Sequence, residues 1–319
     1  MYGYEIEKHA ALQQDMIRLW HKEEDEVVAE AWILPEYGAN LCRFKVDGTD
    51  YLYPAPQKVL DFRHYGTPVL YPFPGVITDA KFTFDDQLYR FPPNRGDLYR
   101  HGFVMDEKFN YSEPKVLDNG VICKTSIEIH PNHPLYALLS ISNRLDLDFT
   151  LEGRQLRIDV KVTNTDPKKR FPFGFGVHPY FNIIGTKDNT LIHVPAEAWV
   201  DRDEEKLVPI QDAPRDFRSL TPIDDLVIDD VWKGMKPEHP QMIEYPAIGK
   251  KVTIYASEIF EVAVTYRMEK ADFFCLENWT TTHDAHNLYA KGKQDIANLS
   301  ILNPGESVTG SLTYQISDL

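Results

Sequence analysis

The sequence predicts an all-β protein of antiparallel sheets, and three observations carry that prediction: two-residue apolar alternation, turn dipeptides between the alternating runs, and abundant proline. Leu156, Ile158, Val160 and Val162 alternate with Arg157, Asp159, Lys161 and Thr163, which places apolar groups on one sheet face and polar groups on the other. The pattern returns at Phe260, Val262, Val264, Tyr266 and Met268, and near the C-terminus at Val308, Leu312, Tyr314 and Ile316. Antiparallel sheets with one covered face produce this alternation. Asp47-Gly48, Asp118-Asn119-Gly120, Glu152-Gly153 and Pro304-Gly305 supply residues that tolerate positive φ and so close turns between strands. The 22 prolines each remove an amide donor and obstruct a helical turn, which argues against long helices.

Taken in chain order, Ala10 to Ile33 is ambiguous from its residues alone, because helix formers surround Val27-Val28 and Trp32-Ile33, which suit strands equally well. The polar segment Asp201 to Asp230 reads as a long functional loop. No repeat, low-complexity tract or Gly/Ser-rich linker divides the chain, so residues 1–319 read as a single domain, a length that β-sandwiches reach.

Composition narrows the function classes. Lys plus Arg total 34 against 49 Asp plus Glu, a formal charge of −15, so a polyanion is repelled at long range and nucleic acid is not the expected partner. Met1 to Trp20 lacks the apolar run of a signal peptide, and no stretch of about 18 apolar residues reads as a membrane span. Cys42, Cys123 and Cys275 are odd in number and far apart, without the close pairs of a zinc or redox motif. They read as buried free thiols, and the expectation is a soluble, cytoplasmic protein.

Four separated segments combine reactive groups with Gly, Pro and aromatics as a pocket does: Gly66 to Gly75 (GTPVLYPFPG), Arg100-His101-Gly102-Phe103, Phe173 to Asn182 (FGFGVHPYFN), and Phe274 to Thr280 (FCLENWT). His178 sits among Phe175, Val177, Tyr180 and Phe181, an aromatic setting in which its protonation is tunable, although a core histidine bonded to a carbonyl would look the same. Glu277 follows the apolar run Phe273 to Leu276 and precedes Trp279. Carboxylates are seldom buried without a partner or a task, so it is a candidate base, with pairing to an arginine as the plainer alternative. His101 precedes Gly102, where the missing side chain lets a ligand or another backbone approach.

In their order and rough spacing these segments resemble the aldose 1-epimerase family. Tyr37-Gly38-Ala39-Asn40, Ile228-Asp229-Asp230-Val231-Trp232 and Leu302 to Ser307 add to the likeness, which extends from about residue 27 to residue 316. The resemblance implies a galactose-mutarotase-like β-supersandwich of antiparallel sheets around a shallow sugar cleft, and it resolves Ala10 to Ile33 as strands. It implies interconversion of the α and β anomers of an aldohexose by acid/base ring opening, with His178 as general acid and Glu277 as general base. It also implies His101 as a positioning histidine and Asp230 as a ligand to sugar hydroxyls. Trp279 and Tyr180 are candidate aromatic platforms for the CH-rich sugar face. The expected partner is a small aldose, bound by a monomer or homodimer without metal or organic cofactor.

One departure stands out. Related sequences usually carry Asn-Arg soon after the Pro-Phe-Pro segment, whereas this chain has Gly75-Val76 followed by Ile77-Thr78-Asp79. Lys81 and Arg100 are the candidates to replace the absent sugar-binding arginine, although Lys lacks the bidentate guanidinium. Two alternatives follow. One is a hexose-6-phosphate mutarotase using Arg63, Arg90, Arg95 or Arg100, and the other is a non-catalytic carbohydrate-binding sandwich. A glycosidase built on Glu277 and Asp230 ranks lower, since no second carboxylate has a comparably apolar setting. His283 and His286 have a three-residue spacing but no clear third ligand, so no metal site is expected.

Overall fold

The computed structural model describes residues 1–53, 65–224 and 226–319. Among them, antiparallel strands form sheets of five, ten and eight strands, with three further two-stranded ribbons. Helices are confined to the short turns Tyr136–Leu139, Ala285–Ala290 and Gln294–Ala297 and three 3₁₀ segments, as the proline content requires.

The five-stranded sheet is N-terminal and includes Asp15–Glu23 and Glu26–Leu34, so the ambiguous stretch is strand. The ten-stranded sheet is built around Gly120–Ile129, Asn143–Glu152, Gln155–Asn164 and Ser307–Asp318. Its alternation is the one read from sequence: Leu156, Ile158, Val160 and Val162 are buried while Arg157 and Lys161 face out. The expected turns close between strands at Asp47-Gly48 and Glu152-Gly153, with positive φ at Asp47, Gly48 and Gly153. All three cysteines are buried and free.

The eight-stranded sheet carries three of the four sequence segments singled out above. Its central strand, Phe273–Trp279, pairs on one side with Val262–Arg267 and on the other with Gly176–Val177 and Tyr180–Asn182. Register divides its side chains into two sets. Val69, Val177, Phe181, Phe274, Leu276 and Ala263 join the main core, where Phe181 meets Tyr314 of the ten-stranded sheet edge to face at 5.8 Å. Cys275, Glu277, Trp279, Tyr180 and Tyr266 occupy the opposite face. The strand Val262–Arg267, expected to be covered on one side, is buried on both except at Tyr266, because a second cluster around Val231, Val264 and Trp279 packs that other face.

Asp201 to Asp230 is not one long loop. It contains the hairpin Ala198–Asp201 with Lys206–Pro209 and the start of Ile228–Lys233, an internal strand of the eight-stranded sheet. The misreading has a physical origin, since these pieces are two to six residues long and the charged turn Asp201 to Glu205 dominates their composition. No helix among the described residues is long and apolar enough to cross a membrane.

Candidate active site

The four sequence segments converge on one place. Gly176 and Val177 pair with Trp279 and Asn278 on one side and with Leu70 and Val69 on the other, while Tyr71 bridges to Gly102. Each segment is short and ends in a turn, so four distant parts of the chain each place a side chain or two on the same sheet face.

Glu277 is 1% exposed and His178 is 8% exposed, and His178 Nε2 lies 3.2 Å from Glu277 Oε1. The second carboxylate oxygen, Oε2, accepts a 2.9 Å hydrogen bond from the Trp279 indole N–H. Residues 277 and 279 share a face because strand side chains alternate, so one strand delivers both the carboxylate and its donor. Burial pushes the Glu277 carboxyl well above the ordinary carboxylate range; the Trp279 bond and Arg100 oppose that shift, and Asp229 adds to it. Tyr180 stacks on the His178 ring at 4.7 Å and 12°, and Tyr266 meets it edge to face at 5.9 Å.

His101 lies across from this pair, its ring 5.6 Å from His178 and 6.3 Å from Trp279. The backbone explains how it gets there. His101 and Gly102 both adopt left-handed φ, +68° and +70°, a conformation that costs a non-glycine residue about 1–3 kcal/mol unless the surroundings enforce it. Here hydrogen bonds from His101 N–H to the Gly75 carbonyl and from Phe103 N–H to the Tyr71 carbonyl fix the turn, and a Cβ on Gly102 would overlap the Tyr71 backbone. Burial, then the nearby His178 and Arg100, hold His101 well below the usual imidazole range. It is therefore neutral near pH 7. Its buried Nδ1 has no hydrogen-bond partner among the described residues.

The remaining expected residues divide. Arg100 reaches the site: burial and the adjacent Arg95 lower its basicity, while Tyr180, Tyr266 and Asp229 act in the other direction. Lys81 is not brought there by any contact, and its ammonium pairs with Asp79 at 3.1 Å on a hairpin. Asp230 is on the wrong face. It pairs with Thr265, which pairs in turn with Leu276, is 7% exposed, and binds Arg215 at 2.8 Å and the Trp199 indole at 3.3 Å. Its neighbour Asp229 shares the face of Tyr266, Cys275 and Glu277. The reason is the pleat: one residue of register exchanges the two faces. Trp279 and Tyr180, at 1% and 4% exposure, offer no open platform; the first presents its N–H to Glu277 and the second its ring to His178. Arg63 lies outside the described residues.

Reading the sequence alone missed Asp229, Tyr266 and His283. The imidazole of His283 accepts a 3.2 Å hydrogen bond at Nδ1 from Val76 N–H and meets Trp279 edge to face at 5.0 Å. Its partner in spacing, His286, is a core residue stacked on Phe82 at 4.2 Å, so the two do not converge on a metal. The donors that do lie together are His178, Cys275 and Glu277, whose ligand atoms fall within 4.8 Å of one another. A broad hollow of about 770 Å³ lies elsewhere, on the outer face of the ten-stranded sheet. Its charges pair internally, Lys124 with Asp148 and Arg144 with Asp146, both at 2.6 Å, and it offers no acid–base couple.

Comparison with known proteins agrees with this architecture. A galactose mutarotase-like protein from Clostridium acetobutylicum superposes with a TM-score of 0.87 at 20% identity, covering 100% of this chain and 99% of that one. A galactose 1-epimerase from Lactobacillus acidophilus gives 0.78 at 14% identity, covering 100% and 99%. These likenesses establish the galactose mutarotase-like fold. The plasmid and chromosomal LacX proteins of Lactococcus lactis are each 34% identical over 87 residues, and the match spans 27% of this chain and 27% of each relative. The aldose 1-epimerase family model matches residues 29–315, nearly the whole described sandwich together with its site, and the chain belongs to that family.

Proposed function

We propose that this protein is an aldose 1-epimerase that interconverts the α and β anomers of an aldohexose, with Glu277 as general base and His178 as general acid. The observation that carries this reading is the 3.2 Å contact between His178 Nε2 and Glu277 Oε1. Burial favours the protonated carboxyl, and the contact gives that proton a direct path to the imidazole. Its passage to His178 generates a carboxylate base and an imidazolium acid with no change in net charge.

A pyranose that parts the two groups places its C1 hydroxyl against Glu277 and its ring oxygen against His178. Glu277 takes the hydroxyl proton as His178 protonates the ring oxygen, and the C1 to ring-oxygen bond breaks to give the open aldehyde. Rotation about the C1 to C2 bond and the reverse transfers close either anomer. Each transfer contributes about 10²- to 10⁴-fold. Neutral His101 positions the sugar.

The alternative that an observation favours is a hexose 6-phosphate as substrate, because Arg95 and Arg100 make no ion pair among the described residues and Arg100 feels the site electrostatically. NMR exchange spectroscopy on D-glucose, D-galactose and their 6-phosphates tests both. Enzyme-dependent exchange between the anomeric resonances is expected. Exchange confined to the 6-phosphates selects the alternative, and saturable binding with no exchange in any sugar rejects catalysis in favour of a carbohydrate-binding sandwich.

A further inference from the structure

The segment after Trp279 is stitched to the segment where the family arginine is missing. Besides the Val76 to His283 bond, Asp284 N–H donates to the Val76 carbonyl, Thr78 N–H donates to Asp284 Oδ1, and Asn287 Nδ2 donates to Asp284 Oδ1 and to the Lys81 carbonyl. Gly75 is the notch that admits the ring: at φ +70°, a Cβ there would overlap His283 Nδ1. Because Nδ1 accepts from Val76, the proton of the neutral ring resides on Nε2. That atom is buried without a hydrogen-bond partner among the described residues, while the ring meets the Trp279 indole edge to face. His101 also stands edge to face on the indole. The indole N–H in turn holds Glu277 Oε2.

We propose that His283 is a positioning residue for the catalytic base, acting through Trp279: docked in the Gly75 notch, it fixes the indole so that one carboxylate oxygen is held and the other faces His178 and substrate. The proposal rests on the epimerase reading and adds to it a residue that touches no sugar. Burial, with Arg202 and Arg100 nearby, holds the His283 imidazole down to about 3, so the ring stays neutral throughout the working range of Glu277. Besides Trp279, the groups that bear on Glu277 are His178 and Tyr180 on the adjoining segment, Asp229 and Tyr266 across the sheet, Cys275 on its own strand, Arg100 from the 99–103 turn, and, through the sheet, Tyr314. All are left intact by the substitutions that follow.

The test uses His283→Phe, which keeps a ring and loses the acceptor, and His283→Asn, which keeps an acceptor and loses the ring. The indole N–H donor stabilises ionised Glu277, so a loosened indole moves the acid limb of the kcat profile to higher pH. A roughly tenfold loss of kcat at the acid side with a smaller change in KM is expected. The Trp279 indole N–H resonance, assigned with Trp279→Phe, should titrate with Glu277, and its midpoint should rise in both variants. The double variant His283→Phe/Trp279→Phe should be no worse than Trp279→Phe alone. Wild-type pH limb and wild-type indole midpoint in both His283 variants, or additive losses in the double variant, overturn the proposal. Absence of anomer exchange in the unaltered protein overturns the epimerase reading instead, and the indole midpoint then decides the coupling by itself.

Discussion

Replacing Glu277 with Gln should abolish anomer exchange and at the same time stabilise the fold above the acid range. The loss of function follows from the proton inventory: glutamine cannot take the C1 hydroxyl proton, and a positioned base contributes about 10²- to 10⁴-fold, or about 2.7–5.4 kcal/mol at about 1.36 kcal/mol per decade. The gain in stability follows from burial. Glu277 binds its proton more tightly in the fold than in the unfolded chain, whose value is 4.5. At pH values between the unfolded and folded pKa the native state therefore holds more protons, and stability falls as pH rises through the folded pKa. Below the unfolded value the penalty vanishes. Glutamine keeps an oxygen for the Trp279 N–H and can donate an N–H to His178, so it removes the charge without creating a cavity. The gain appears as a higher melting temperature, at about 2–4 °C of Tm for each kcal/mol in domains of 150–250 residues. Polarimetry on a freshly dissolved α-anomer measures the first effect; thermal melts of both proteins between about pH 4 and pH 9 measure the second. Exchange at the wild-type rate removes Glu277 as the base. A variant no more stable than wild type at the alkaline end refutes the claim that burial raises the carboxyl.

His178→Asn should cost about 10²- to 10⁴-fold in exchange while leaving the melting profile near wild type; a cooperative melt with full activity would exclude it as the acid. Asp229→Asn should shift the acid limb to lower pH, because the Asp229 charge raises Glu277; pH–rate profiles check the direction. Asp230→Asn, on the other face, should leave that limb in place and cost about 1 kcal/mol in denaturant unfolding, since its partner Arg215 is 34% exposed and solvent screens the pair. Gly102→Ala should lower stability by about 1–3 kcal/mol and displace His101, visible as a depressed Tm with weakened sugar binding.

Much of this is legible in the sequence, for reasons that particular residues show. Strands with one wet face advertise themselves, as Leu156 to Val162 does, because the pleat maps directly onto the sequence. The four pocket segments were legible as a set because three bring Gly or Pro beside a reactive group and the fourth sets Glu277 among aromatics. What stayed hidden depends on pairing. Asp229 and Asp230 are equivalent as letters, and only the register Asp229↔Tyr266↔Cys275 puts the first on the site face. Trp279 read as a platform because exposure is invisible in sequence; burial turns the same indole into a hydrogen-bond donor for Glu277. His283 was weighed only as one of two histidines three residues apart, with no metal site expected, because its contact, the Gly75 notch, lies more than 200 residues away along the chain.

The arginine that the family resemblance implies and the Gly75 notch concern the same stretch of chain. A long cationic side chain just after the Pro-Phe-Pro segment would project from the backbone that Val76, Ile77 and Thr78 now present to the 283–287 segment. With Gly75 and Val76 there, the backbone itself becomes the contact: Val76 donates to His283 and accepts from Asp284, and Thr78 donates to Asp284. The stretch therefore holds a neutral ring anchored in the protein, and Arg100 is a guanidinium whose charge acts on Glu277. Arg100 comes from a turn whose ends Asn94 clamps, with its side-chain amide bonded to both the Arg100 carbonyl and the Arg100 N–H. Arg100→Met should then move the acid limb to higher pH, since the removed charge favours ionised Glu277, and should raise KM for whichever sugar exchanges. A pH–rate profile indistinguishable from wild type would show that Arg100 neither tunes the base nor takes over from the absent arginine.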